Sequence, residues 1–451
     1  MLGRLACRPV VTLAGASLVM FCVLLYVGRW QLFWLDEWSF IINRPDPTPR
    51  ALLAPFFDTF VAVPVLVYDA LLATFGMRTY LPFLLVAWAA HFAIVFLLYR
   101  IVNRRSGAVL GMAAGLSVVF LGSGWEVLLQ PFQIQYLFAI VSGLVALDQL
   151  DTVTPTTERG HVVVAAVALV FGVASSGLAV IFTGLLLVMG LLRRHLPTIV
   201  AIVPAIAVYA AWYFTWGRES LRVPGPGLGP LESAYAVLYG MGGAVAGLIG
   251  LTPTRFALMG LALGLGVVAA LVVMIWRGYR PGALALAAIA ALVAQNVLQT
   301  ILRAPYGVEH GARSGYVYAD IIFLWLAFSG IVGDRLEAPR WRRRAVPVAA
   351  AVMLVPMVLG NMWQLSGVSV LLRHQRATAL AELRLIESLR SEPGLALDVQ
   401  PDDTYLVGLT ARGYLAAIDR FGRPTLEWNW ETEVDAAAVE AARHRLLPDS
   451  P

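Results

Sequence analysis

The chain has 451 residues, 59% of them hydrophobic and only 14% charged, against about 25% charged in an ordinary soluble domain. No single soluble core hides that much apolar surface, so a soluble globular protein is excluded. The net charge of +5, with 33 Lys plus Arg, fits the basic bias of cytoplasmic loops and gives no reason to invoke a nucleic acid.

Taken in chain order, the first apolar run is Val10 to Val27, preceded by Arg4 and Arg8. It is long and lacks a small-residue cleavage site, which predicts an uncleaved signal anchor. Cys7 and Cys22 lie at or in this run and suit neither a disulfide framework nor a metal cluster. About 20 apolar residues cross a bilayer. Spans are expected near 9–30, 80–99, 107–122, 134–150, 161–175, 176–192, 197–217, 255–276, 281–302, 314–333 and 345–365.

Two more apolar stretches are ambiguous: 59–76, with Pro64 and Asp69, and the glycine-crowded 234–251. Charge placement decides between the alternatives. The basic clusters are Arg100, Arg104 and Arg105; Arg193 and Arg194; Arg277 and Arg280; and Arg335, Arg340, Arg342, Arg343 and Arg344. If the N-terminus is inside and neither ambiguous stretch crosses, all four fall on the cytoplasmic side, as the positive-inside bias requires. The two stretches are therefore expected to be interfacial or re-entrant helices on the outer side. The acidic loop from Asp148 to Glu158 then lies inside.

Residues 366–451 are charged and carry no spanning run. Val370 to Arg390 has the spacing of an amphipathic helix, Thr404 to Val407 of a short strand, and Thr432 to Leu447 of a last helix. The expected fold class is all-α integral membrane: a polytopic helical bundle of eleven spans with outer-face interfacial helices and a small C-terminal extramembrane segment. The transmembrane bundle is expected over 1–365 and the extracytoplasmic segment over 366–451. The N-terminus is placed in the cytoplasm and the C-terminus outside a plasma membrane.

This topology puts particular polar groups on the outer side. Asp36 and Glu37 follow the first span directly, between Trp34 and Trp38. Adjacent carboxylates near an apolar surface are costly unless paired, hydrogen-bonded or metal-bound. Such a pair can hold a divalent cation, or one member can be a general base. An interfacial loop with its acids in water accounts for the same residues equally well. Glu126, Gln130 and Gln133 share one face if helical, and a carboxylate with amides suits sugar hydroxyls; Pro131 interrupts that helix. Arg218 and Arg222 lie in the fourth outer loop beside Glu219.

The fifth outer loop, 303–313, is richest. Arg303 and Arg313 can bind phosphate bidentately. Glu309 and His310 are a potential metal-ligand or acid–base pair, and Tyr306 can stack or donate. Asp320, in the outer half of its span, is placed to face the same cavity. Asp69, His91, Asn296 and Asp320 are the intramembrane polar residues, and each is more often a packing hydrogen bond than a proton relay. Gly225-x-Gly227-x-Gly229 is broken by prolines and makes no nucleotide cradle. The Gly240 to Gly250 stretch fits close helix packing.

A first span followed at once by an acidic pair, in a long outer loop with re-entrant helices, resembles the GT-C superfamily of membrane glycosyltransferases. So do the many-span bundle and the C-terminal outer segment. Phe33 to Phe40, with Leu66-Val67-Tyr68 through Leu81-Pro82, is similar to an actinobacterial group of membrane proteins of this build. The resemblance implies a sugar taken from a polyprenyl-phosphate carrier and passed to a glycan or lipid acceptor on the outer face. It implies Asp36 or Glu37 as base or metal ligand. The carrier phosphate would lie on Arg303, Arg313 or Arg218, and the hydroxyls on Glu126, Gln130 and Gln133. A transporter or flippase for a lipid-linked or anionic substrate is the alternative, predicting symmetric halves and helices broken at the midplane. A membrane scaffold without a site is the third.

Overall fold

The computed structural model describes residues 9–151, 159–219, 227–333, 340–424 and 434–448. Arg222 and Arg335 lie outside the described residues, as does most of the acidic loop that begins at Asp148.

The chain opens with α1 (Pro9–Gly28), followed by two short helices, α2 (Glu37–Asn43) and α3 (Pro49–Leu53). Then come α4 (Ala62–Phe75) and α5 (Leu81–Ser106). Pro82 sits in the first turn of α5, where its missing N–H leaves no bond unmade. The helix stops at Gly107, whose φ of +88° suits only glycine without strain. Next are α6 (Ala108–Val119), α7 (Trp125–Leu129), α8 (Ile134–Asp151), α9 (Arg159–Val173), α10 (Leu178–Arg193) and α11 (Leu196–Thr215). The second half adds α12 (Pro230–Leu248), α13 (Pro253–Trp276), α14 (Ala283–Arg303), α15 (Ser314–Gly333) and α16 (Arg340–Ser388). It ends with α17 (Ala411–Phe421) and α18 (Ala436–Leu446).

Among the described residues, 8 helices are long and apolar enough to cross a membrane; α6 and α7, bent by 44°, make a ninth candidate. The shorter apolar α9 and α10, of 15 and 16 residues, occupy the two remaining expected positions. The protein is an all-α, polytopic membrane bundle. The 59–76 stretch forms α4, only 14 residues long and so about 21 Å, short of a bilayer core about 30 Å thick.

Two sequence expectations change. The amphipathic helix expected over 370–390 is not separate: α16 runs 49 residues without a stop, through the boundary expected at 365. No capping residue followed by a turn interrupts 361–388, so the helix simply propagates. The short strand expected over 404–407 is absent, and no strand occurs among the described residues. Asp402 Oδ1 instead accepts the backbone N–H groups of Tyr405 at 2.6 Å and Leu406 at 3.4 Å, curling the chain into a turn.

The glycine-rich stretch is explained by α12 against α13. A Cβ on Gly242 would strike the carbonyl oxygen of Ala257, and one on Gly260 the carbonyl oxygen of Gly242. Backbones approach this closely only where both lack side chains. At the far end of α5, buried Asp148 takes Arg104 at 2.8 Å and Arg100 at 3.2 Å; Asp151 takes Arg193 at 3.0 Å, Arg104 at 3.2 Å and also Arg105. The start of the acidic loop thus neutralises two of the basic clusters and ties α5, α8 and α10 at one end. The 31–79 loop occupies the opposite end.

Candidate active site

The loop leaving α1 sets the site. Leu35 has φ +47°, a left-handed conformation that costs an ordinary residue roughly 1–2 kcal/mol. It persists because the next carboxylate is over-determined. Glu37, 1% exposed, accepts the Trp34 N–H at 2.8 Å, the Tyr68 hydroxyl at 2.6 Å and the Tyr80 hydroxyl at 2.8 Å. Those bonds fold residues 34–37 into a tight turn with the two neighbouring carboxylates facing opposite ways. Glu37 faces the protein. Asp36 faces a cavity of about 260 Å³.

That cavity is lined by eight of the residues singled out from sequence: Asp36, Glu126, Gln130, Gln133, Arg303, Tyr306, His310 and Arg313. They come from three segments distant in sequence. Glu126 sits on α7, which ends at Leu129; Gln130 is extended, and a 3-10 turn carries Pro131–Gln133. Pro131 does break the helix, yet the turn brings both glutamines to the cavity. Glu126 accepts Arg313 Nη2 at 3.0 Å and the Gly315 N–H at 2.9 Å, while its own N–H donates to Ser314 Oγ at 3.0 Å. This carboxylate therefore caps the positive end of α15 and holds Arg313. Arg303 donates to Asp58 Oδ1 at 2.9 Å, and its guanidinium lies 5.7 Å from the Phe57 ring centroid. Tyr306 stacks on His310 with centroids 4.8 Å apart, and His310 Nε2 meets the Tyr316 hydroxyl at 3.4 Å.

The electrostatics separate the roles. Burial raises the Asp36 carboxyl above its usual 3.8, and the charges of Arg313 and Arg303 oppose that rise. Burial, helped by the same two arginines, pushes the His310 imidazole down to about 4. His310 is thus neutral near pH 7 and offers a lone pair instead of a proton. Burial pushes Glu37 up to about 7 against its hydroxyl and backbone donors. Gln133 Oε1 is buried with no hydrogen-bond partner, an acceptor open to a ligand donor. The cavity therefore offers one unpaired carboxylate, two arginines, amides and hydroxyls around one volume. This set can deprotonate a hydroxyl, hold an anion and read a polyol.

The other predicted residues lie elsewhere. Glu37 is behind the wall, not in the cavity. Asp320 is 1% exposed and accepts Asn296 Nδ2 at 3.0 Å within the bundle; it does not line the cavity, because α15 turns that face toward α14. Arg218 lies over the Phe214 ring at 4.7 Å, away from the cavity. Glu309 is exposed and does not line it. Sequence reasoning missed Tyr136 and Tyr316, which line it from within apolar spans, and Phe56, Phe57 and Asp58. A tyrosine at the end of a predicted span was the available signal.

No family model matches the sequence, and no curated protein matches it. Among solved structures, the crystal structure of ArnT from Cupriavidus metallidurans bound to undecaprenyl phosphate is similar. Its TM-score is 0.54 at 16% sequence identity, covering 96% of this chain and 87% of that one. The chain shares its fold with that protein. The many-span layout expected from the sequence thus holds at the level of fold. The cavity lies at the end of the bundle that bears the 31–79 loop.

Proposed function

We propose that the chain is a membrane glycosyltransferase that moves a sugar from a polyprenyl-phosphate carrier to a hydroxyl acceptor on the extracytoplasmic face. The observation that carries this reading is Asp36, an unpaired carboxylate in one cavity with Arg303 and Arg313, at one end of a bundle that shares its fold with ArnT. The ArnT crystal structure holds undecaprenyl phosphate, and a lipid phosphate here would meet the two arginines. Asp36 accepts the proton of the acceptor hydroxyl as its oxygen bonds to the anomeric carbon. The bond from that carbon to the carrier phosphate breaks, and the phosphate leaves with the electron pair. Arg303 and Arg313 stabilise the charge that develops on it. Gln130, Gln133 and neutral His310 bind sugar hydroxyls. A divalent cation at Asp36 would act as a further Lewis acid.

The basic ends of α5 and α10 lie at the other end of the bundle, which supports an outward-facing cavity with the N-terminus in the cytoplasm. In nanodiscs with a radiolabelled polyprenyl-phosphate sugar, the wild type should form a labelled product. Arg303→Ala with Arg313→Ala should weaken carrier binding at least tenfold. Labelled lipid that crosses the bilayer with its sugar intact would favour a flippase instead.

A further inference from the structure

A second group of carboxylates lies outside the cavity, where α16, the 402–407 turn and α18 meet. Glu382, on α16, is 0% exposed, and neither of its carboxylate oxygens has a hydrogen-bond partner. Asp402 is 8% exposed; its Oδ1 gathers the turn's N–H groups, while its Oδ2 is buried without a partner. The groups acting on Glu382 are Asp402, in side-chain contact, and Asp435, both of like charge. The cation that also acts on it, Arg445, is bound to exposed Asp403 at 2.8 Å. Asp435 caps α18 through the Ala438 N–H at 3.0 Å and accepts the Tyr405 hydroxyl at 3.3 Å.

Two buried carboxylates in contact without donors are unstable unless a cation or a shared proton joins them. The two carboxylates come from separate elements and meet side by side, with three of their four oxygens buried and without a donor. Among the described residues no three His, Cys, Asp or Glu side chains form a ready metal cage. The pair therefore supplies part of a coordination sphere that backbone carbonyls and water complete, as in oxygen-only sites for hard cations.

We propose that Glu382 and Asp402 together bind a divalent cation of the Ca²⁺ type, which fastens the 402–407 turn to α16. The ion never meets the reacting atoms. Its reach to the cavity is through the turn, since Val407 is part of the cavity wall. The site is independent of the reaction proposed above, and its test needs no substrate.

The full-length protein, stripped with chelator in detergent, is melted with increasing CaCl₂ against KCl of equal ionic strength. Calcium binding is measured in parallel by isothermal titration. The expected result is a Tm that climbs with Ca²⁺ and binding near one ion per chain. Both are lost in Glu382→Gln and in Asp402→Asn, whose amides supply the missing donor and keep the fold. An equal Ca²⁺ response in wild type and both variants would place the ion elsewhere and overturn the proposal. So would a wild type indifferent to Ca²⁺ with Glu382→Gln melting higher, the signature of a proton shared between the two acids. If Glu382→Gln fails to fold, Asp402→Asn and the wild-type titration decide; absence of wild-type binding sinks the idea.

Discussion

Two adjacent acids in one turn have been given opposite tasks by their surroundings. Asp36 faces the cavity beside two arginines, so its ionised form is the working one. Asp36→Asn should lower transfer by about 10²–10⁴-fold, the usual contribution of a positioned base, with Tm unchanged. Because burial raises the Asp36 carboxyl, the acid limb of the wild-type rate profile should fall above pH 3.8. Arg313→Gln removes a charge that favours the carboxylate, so it should move that limb to higher pH. Glu37 behaves differently: its folded-state value, about 7, exceeds the ordinary 4.5, so the fold favours its protonated form. That contribution is complete below about pH 4.5 and is lost as pH rises through about 7. Wild-type Tm should decline between about pH 5 and 8, and Glu37→Gln should flatten the decline. A flat wild-type profile would refute this account. The sequence located both acids, but their division of labour was not legible. It depends on Tyr68 and Tyr80, more than thirty residues away, and on a left-handed Leu35 that no local pattern demands.

At the scale of elements, hydropathy and charge were enough to find the spans, since apolar runs and helix length share one physical cause. The expected packing of the Gly240–Gly250 stretch is likewise explained by contact of α12 with α13. Gly242→Ala and Gly260→Ala should each destabilise by about 1–3 kcal/mol, because the added methyl meets a backbone carbonyl that cannot turn aside. Denaturation in mild detergent reads this directly, with exposed Gly266, whose Cβ would meet open space, as the neutral comparison. What failed to show was where helices end. The boundary at 365 rested on the loss of hydrophobicity, but a helix needs a stop signal and not merely polar residues to finish. The turn at 402–407 looked like a strand because Tyr405, Leu406 and Val407 are good strand formers; Asp402 captures the N–H groups of Tyr405 and Leu406 first.

For the whole molecule, the two ends of the bundle are chemically distinct. One end gathers arginines on Asp148 and Asp151; the other gathers the cavity. Asp151→Ala would leave Arg105 and Arg193 without their shared carboxylate and should destabilise the bundle by roughly 1–2 kcal/mol, since water reaches both part-exposed guanidiniums and takes up some of the loss. Carrier binding to the folded fraction should be unaffected, measured at the opposite end. Three loops that the topology set on one side meet in one cavity, because loops on one side of a bundle have few other places to go. Asp320 stays out because its helix turns that face toward α14, and Arg218 because its loop turn lays it over the Phe214 ring.

The unbroken α16 has a consequence of phase. Its 49 residues extend about 74 Å at 1.5 Å each, and every residue turns the next by about 100°. Asn361, whose Oδ1 accepts the Ser123 N–H at 2.8 Å, sits among the spans. Fifteen positions on, Arg376 donates to Gln31 at 2.8 Å and lies 4.2 Å from the Trp34 ring centroid. Both contacts are set on one rigid screw. A single residue inserted at Gly367 would leave the first in place and swing Arg376 about 100° off the Asp36 turn. The bilayer and the site are thus geared together, with no slack between them.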